Sequence, residues 1–338
     1  MFTVLGQHDM VTGLAEDPRD DHANAHFVVR KEELHAHRSP RAAVWYVRGR
    51  VISPPQKRVG ADFMTRELRL AVAGHVEWVT FMPVDDVPRS GDILHATDAW
   101  EEPAGGGGVA VIELARLAGS STLVTALGDD PAGQRLPEVM DALGVRLLGV
   151  TEPGAHRRCI TLLDPTGERT IVVIGPSQHG RGDDHDGVFS AIDAVYFCKG
   201  DAQLLREARQ ARVLVATARV LPVIRDAGVQ LDALVLSGRD PSERYAAGDL
   251  PVSPQLVAIT DGENGGSYTT NDGRAGRWKA VPVPGSVVDS YGAGDCFAAG
   301  LTWALGRGLE VDEALAAAAK RGALALTRAG AGWRDETT

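Results

Sequence analysis

The stretch VVDSYGAGDCFAAGLTWAL, residues 287–305, concentrates residue types that can do chemistry. Apolar Val287 and Val288 lead into a polar turn bearing glycine, and helical spacing from about Gly294 sets Phe297, Leu301 and Leu305 on one face. The backbone N–H groups of Gly292, Ala293 and Gly294 then fall in the turn and first helical residues, with no bulky side chain to screen them. Unpaired amide donors at the positive end of a helix dipole form a natural pocket for an anion. Asp295 stands beside that pocket. Its carboxylate either caps the helix or accepts a proton from a hydroxyl that attacks a phosphate held there.

The elements that must position this stretch follow a regular pattern from Leu68 onward. LRLAVAG reads as a strand, VAVIELARLAG as a helix, STLVTALG as a strand, and PAGQRLPEVMDALG as a helix with proline near its start and glycine at its end. AVYFCKG, VLVATAR, LDALVLSG and LVAITDG continue the alternation. Strands separated by helices imply an α/β protein whose mostly parallel sheet is covered on both faces. Two stretches break the pattern. Residues 81–102 are rich in Pro, Asp and Gly, and RRCITLLDPTGERTIVVI reads as a hairpin around Asp164-Pro165-Thr166-Gly167. Extended segments near 81–102 and 158–174, inserted in such a chain, imply a small β lid over a cleft. There is no internal repeat and no heptad pattern.

Residues 1–67 read differently. Five of the ten histidines fall in the first 37 residues, AVWYVRGRVI has the composition of a strand, and PPQKR resembles a linker or turn. His35 and His37 would share one face of a strand and could ligate a metal; no partner cluster accompanies them, and a solvated or disordered segment is the alternative. The expected organisation is an N-terminal extension over 1–67 whose order the sequence leaves open, one large domain over 68–333, and a tail over 334–338.

Bulk properties narrow the function. At 338 residues the chain can bury a sizeable core, with 44% hydrophobic and 24% charged residues. A net charge of −10 and no basic stripe disfavour nucleic acid. No apolar run reaches membrane-spanning length, and the N-terminus lacks the pattern of a secretion signal. Three well-separated cysteines suit a reducing, cytoplasmic location.

DSYGAGD resembles the DTxGAGD signature of the ribokinase family, the PfkB-type carbohydrate kinases, with Ser290 in place of threonine and Tyr291 at the variable position. Other segments resemble that family in its order: GGGGVAVIELARLAG, ALGDDPAGQRL, DPTGERTIVV, AITDGENGG and AAAAKRGALALTRAGA, together spanning roughly residues 68–333. The resemblance implies a three-layer ribokinase-like fold with a β lid, and ATP-dependent phosphorylation of a hydroxyl on a sugar, nucleoside or related polyol. It implies Asp295 as the base and Gly292, Ala293 and Gly294 as the anion hole. It implies Thr260, Gly262 and Gly265 along ATP, and a monovalent cation, K⁺, near Asp289 and Ser290. Mg²⁺ bridging the β- and γ-phosphates fits such chemistry, and a homodimer through the lids is a common arrangement in the family. A Walker A loop is absent.

Three places depart from the family pattern. The asparagine expected after the glycine pair is missing, its place taken by Gly108 or Val109, which leaves Gly106, Gly107 and Gly108 at the substrate edge. The aspartate expected after the first strand is replaced in the loop GHVEWV, which offers Glu77 and His75 instead; Glu77 either grips substrate hydroxyls or is a solvated carboxylate. There Trp78 either stacks on a ring substrate or packs at the lid base. The NxxE segment reads LVLSGRDPSERY, so Asp240 or Glu243 either orients Mg²⁺-bound water or serves as a cap or exposed group. These losses leave a second reading open, a catalytically weak small-molecule sensor on the kinase fold. A Rossmann dehydrogenase is disfavoured because GGGGVAV lacks GxGxxG spacing after a clean strand.

Overall fold

The computed structural model describes residues 67–182 and 187–332, together with six strands between residues 2 and 52. The chain divides into two units, Met1–Met64 and Thr65–Thr338. In the first, β1 (Phe2–Val4), β2 (Met10–Ala15) and β3 (Ala25–Arg30) form one antiparallel sheet. β4 (His35–Ser39), β5 (Ala42–Val47) and β6 (Arg50–Ile52) form another. The run read as a single strand, AVWYVRGRVI, is the β5–β6 hairpin. The side chains of His35 and His37, the PPQKR stretch and the 334–338 tail lie outside the described residues.

The second unit is a three-layer α/β structure. Its sheet begins with β7 (Leu70–Ala73), and successive residues of this strand serve opposite layers, as the period of two requires. Leu70 and Val72 join one buried cluster, while Ala71 and Ala73 join the other. After β7 come β8 (Glu77–Pro83) and β9 (Trp100–Ala104), then α1 (Gly105–Ala118), β10 (Ser121–Gly128), α2 (Pro131–Ala142) and β11 (Val145–Glu152). Asp130 caps α2 by accepting from Gly133 N at 3.0 Å, and Pro131 fills the first helical position. The remaining elements are β12 (Arg158–Leu163), β13 (Arg169–Ile174), β14 (Ala194–Phe197), α3 (Ala202–Ala208), β15 (Val213–Thr217), α4 (Leu221–Ala227), β16 (Ala233–Ser237), β17 (Leu256–Thr260), β18 (Gly266–Thr270), β19 (Ala275–Trp278), α5 (Ala293–Gly306) and α6 (Val311–Ala325).

The nine-stranded sheet runs β11-β10-β7-β14-β15-β16-β17-β18-β19, parallel except for its last two pairings. Helices α1, α2, α5 and α6 cover one face, and α3 and α4 the other. A separate sheet, β13-β12-β8-β9, gathers the segments that break the alternation. Glu77 therefore opens a strand rather than sitting in a loop: β8 pairs in parallel with β12, a partner about eighty residues away that local pattern cannot announce. The Pro- and Asp-rich residues between β8 and β9 form the exposed connection of an antiparallel pair. At the β12–β13 turn, Asp164 Oδ1 accepts from Thr166 N, Thr166 Oγ1 and Glu168 N, and Gly167 takes φ +78°. No helix among the described residues is long and apolar enough to cross a membrane.

A buried charge cluster that the sequence did not reveal locks α1 to α6. Glu113 is fully buried and pairs with Arg116, Arg321 and Arg328. Removing the one acid leaves three guanidinium groups without their counter-charge. Glu113→Ala is expected to lower the unfolding free energy by about 3 kcal/mol or more, measured by urea denaturation, with Glu113→Gln losing less.

Candidate active site

Parallel α/β sheets place their ligand sites beyond the carboxyl ends of the strands, and the sequence-predicted residues gather at that edge. α5 starts there with Gly292 at φ +70°, a conformation that other residues adopt at a cost. A side chain at Gly292 would also collide with Val109 of α1. Among the described residues, Ala293 N makes only a long 3.5 Å contact with Ser290 O, and the N–H groups of Gly292 and Gly294 make no backbone bond. No atom lies within 4 Å of where a Gly294 side chain would begin. The helix end thus presents unpaired donors to open space.

Asp295 belongs to the first turn of α5, and no side chain caps this helix. No hydrogen bond or ion pair among the described residues reaches its carboxylate, so the capping role is not the one it fills. Burial pushes its pKa up to about 7; Arg219 and Arg169 pull it down, while Glu243 and Glu77 add to the rise. The group is poised near neutrality by desolvation.

The glycine run forms the opposite wall. The helix was expected from Val109, yet Gly105–Gly108 are its first turn, because packing overrides the poor helix propensity of glycine. A side chain at Gly106 would begin 3.0 Å from Asp295 Oδ1, one at Gly105 would begin 3.1 Å from Glu77, and one at Gly107 would overlap the His75 carbonyl. Tyr291 fastens the two helix starts together, its hydroxyl accepting from Gly105 N at 3.1 Å and its ring set edge-on to Phe81.

Glu77 is buried, not solvated. Arg157 Nε lies 2.7 Å from one of its oxygens, Cys159 Sγ donates to the other at 3.1 Å, and His75 Nε2 stands 3.7 Å away. Trp78 is a core residue whose Nε1 donates to Ala132 O at 2.6 Å, which rules out stacking on a ligand.

Asp289 is fully buried and accepts from Tyr291 N and Gly330 N, which fixes the turn ahead of α5. Ser290 Oγ accepts from Arg169 Nη1 at 2.8 Å, and Ser290 N donates to Gly167 O at 3.0 Å. The β12–β13 turn therefore rests directly on the glycine motif. A guanidinium at Ser290 leaves the Asp289–Ser290 pair a poor fit for a monovalent cation.

On the other side of Asp295, Thr260 ends β17, and Gly262 and Gly265 take positive φ in the short turn that follows. Arg239 packs beside Gly262 and pairs with Asp261 and Glu263. A cleft lined by Ser237, Arg239, Asp240, Glu243 and Ile259 opens beside them. Asp240 and Glu243 both face Arg219, at 3.0 and 2.7 Å. Their other oxygens accept from Ser242 and from Ser237 N, and the Ser242 bonds hold Asp240 below its usual range. All four oxygens thus accept from protein donors, and Arg219 bridges the two carboxylates. Among the described residues no cluster of three or more His, Cys, Asp or Glu could hold a metal.

Sequence reading missed Lys199, Arg219 and Arg239. They follow β14, β15 and β16, three neighbouring strands, and the shared signal was present: AVYFCK, VLVATAR and LVLSGR each end on a basic residue.

A strand-end cleft with a glycine-started helix and a desolvated carboxyl defines a three-layer α/β protein of the ribokinase type. The pfkB family carbohydrate kinase model matches residues 68–235 and 240–337. The chain belongs to that family, and at the level of class it is an ATP-dependent carbohydrate or nucleoside kinase. It is similar to a ribokinase of Dictyostelium discoideum, 29% identical over 113 residues that cover 33% of this chain and 36% of the relative. It is also similar to an ATP-dependent ribose-1-phosphate kinase of Halopiger xanaduensis, 28% identical over 301 residues that cover 78% of this chain and 94% of the relative. The fold matches that of Arabidopsis thaliana ribokinase complexed with ribose and ATP, at TM-score 0.62 and 19% identity, covering 78% of this chain and 94% of that one.

The raised pKa of Asp295 also bears on stability. A carboxyl whose folded pKa lies above its unfolded value favours folding at low pH, and that contribution is lost as pH rises towards the folded value. Asp295→Asn is therefore expected to raise the melting temperature at pH 8, with the gain shrinking as pH falls from about 7 towards 4. Calorimetric scans of both proteins across that range check it.

Proposed function

We propose that the chain transfers the γ-phosphoryl group of ATP to a hydroxyl of a small sugar-like substrate, with Asp295 as the general base. The observation that carries this reading is the pairing of a desolvated, unpartnered carboxyl with unpaired helix-start donors one residue away. A base with pKa near the working pH combines the ionised form with a real affinity for the proton. The hydroxyl gives its proton to Asp295, and its oxygen attacks phosphorus. The N–H groups of Gly292, Ala293 and Gly294 receive the charge on the transferring phosphoryl oxygens. Arg169 and Arg219 add positive field on either side.

Thr260, Gly262 and Gly265 line the nucleotide in this reading, since positive φ at both glycines lets backbone approach a ligand closely. The acceptor lies along Gly106, Gly107 and Gly108, whose lack of side chains lets this backbone lie close against Asp295 and His75. Glu77 acts there through Arg157 and His75 rather than as a lone hydroxyl acceptor. Asp240 and Glu243 serve to fix Arg219. Mg²⁺ bound to the nucleotide would neutralise phosphate charge, and Asp289 and Ser290 act as the brace of the motif rather than as a K⁺ site. The sheet β13-β12-β8-β9 is the lid that excludes water from the transfer. Three buried free cysteines suit a reducing cytoplasm.

The lid also supplies the surface for a second copy of the chain. Edge strand β13 exposes Ile171, Val172, Val173 and Ile174 in succession, an unpaired apolar edge that natural proteins cover. Val172→Lys with Ile174→Lys is expected to convert a dimer to a monomer by light scattering.

Asp295→Asn is expected to lower kcat by about 10²–10⁴-fold in an acceptor-dependent ADP-release assay, with circular dichroism unchanged. In the parent, kcat/KM falls as pH drops below about 7, and a loss under tenfold in the variant removes the assigned role.

A further inference from the structure

The acceptor side of the cleft holds imidazole nitrogens that no described protein group satisfies. Buried His75 Nδ1, His156 Nε2 and His179 Nδ1 lack a hydrogen-bond partner among the described residues. Buried polar atoms in folded proteins are nearly always paired, so such a concentration points to a missing ligand. Lys199 joins them. It follows β14 directly, and its N–H and that of Cys198 both bond to Ala73 O, two residues before His75. It is partly buried, and its ammonium makes no ion pair or hydrogen bond among the described residues.

The described acids nearby are otherwise engaged. Glu77 faces Arg157, Glu152 faces Arg181, and Asp201 caps α3 while also accepting from Gly182 N. The contrast along the strand ends is sharp: Arg219 and Arg239 are each held between two acids, and Lys199 by none among the described residues. The charge of Lys199 also helps keep His75 and His179 neutral, as donors or acceptors rather than cations. Thr260, beside the nucleotide turn, ends β17, three strands from β14, roughly 14 Å at the usual strand spacing. Lys199 therefore belongs to the acceptor side.

We propose that the acceptor is itself an anion, a sugar bearing a phosphate monoester, whose phosphate is received by Lys199 with His75 and His179 while a hydroxyl faces Asp295. This rests on the kinase reading above and names the substrate class for the same site. An ammonium with three donors and two imidazoles with open nitrogens match a phosphate's several acceptor oxygens. The arrangement also explains the loss of side chains for hydroxyl recognition at Gly106–Gly108, since a charged handle supplies the binding energy instead.

The test compares ribose, ribose 1-phosphate and ribose 5-phosphate as acceptors with ATP, in the full chain and in Lys199→Met, Lys199→Arg and Asp295→Asn. At least one ester is expected to exceed ribose in kcat/KM by about a hundredfold. Lys199→Met is expected to raise the KM for that ester by about tenfold or more, with Lys199→Arg retaining most of the affinity. Asp295-dependent turnover that favours ribose overturns the proposal and leaves the kinase reading standing. A rise in the KM for ATP instead assigns Lys199 to the nucleotide and also overturns it. If no acceptor turns over, calorimetric binding of the two esters decides. A tenfold loss in Lys199→Met upholds the phosphate site while the kinase reading falls, and equal or absent binding overturns the site.

Discussion

Two helices begin at the same point of the sheet edge, and their contact is made of backbone. The first turn of α1 lies against the His75 carbonyl, against Glu77 and against the Asp295 carboxylate, with no side chain between. A methyl at Gly107 would overlap the His75 carbonyl, and one at Gly106 would press on the Asp295 carboxylate. That closeness is what desolvates the carboxyl, and desolvation is the largest cause of its raised pKa. The glycines that look like a weakness in helix propensity are therefore the condition for the electrostatics.

The surrounding structure keeps this contact in place. Tyr291 ties the start of α5 to Gly105, and Asp289 holds the intervening turn through two backbone N–H groups. Glu113 of α1 pairs with Arg321 of α6 and with Arg328 just beyond it, while Arg116 of its own helix completes the cluster. The β12–β13 turn reaches Ser290 through Gly167 and Arg169, so lid position and glycine motif are mechanically linked. A lid that moves must break or carry those two bonds.

The parts of the fold legible in the sequence were those written in local periodicity: the strands that alternate with helices, the DPTG hairpin, and α2 with Pro131 at its start. The start of α5 was legible because positive φ and open amides demand glycine whatever the neighbours are. What stayed hidden depends on non-local pairing. Glu77 reads as a loop residue until β8 finds β12. Trp78 reads as available until it packs under α2. Asp240 and Glu243 read as metal helpers until Arg219, some twenty residues earlier, reaches both. The basic residues at the ends of three strands gained meaning only once the strand order set them side by side.

The central claim is that Asp295 is a carboxyl held near neutrality by its lack of contact with water. A carbon-detected NMR titration of the side-chain carboxyl, assigned by difference against Asp295→Asn, measures this directly in the ligand-free protein. The account predicts a midpoint near 7. A midpoint near 4, the ordinary value for an aspartate in water, would contradict it.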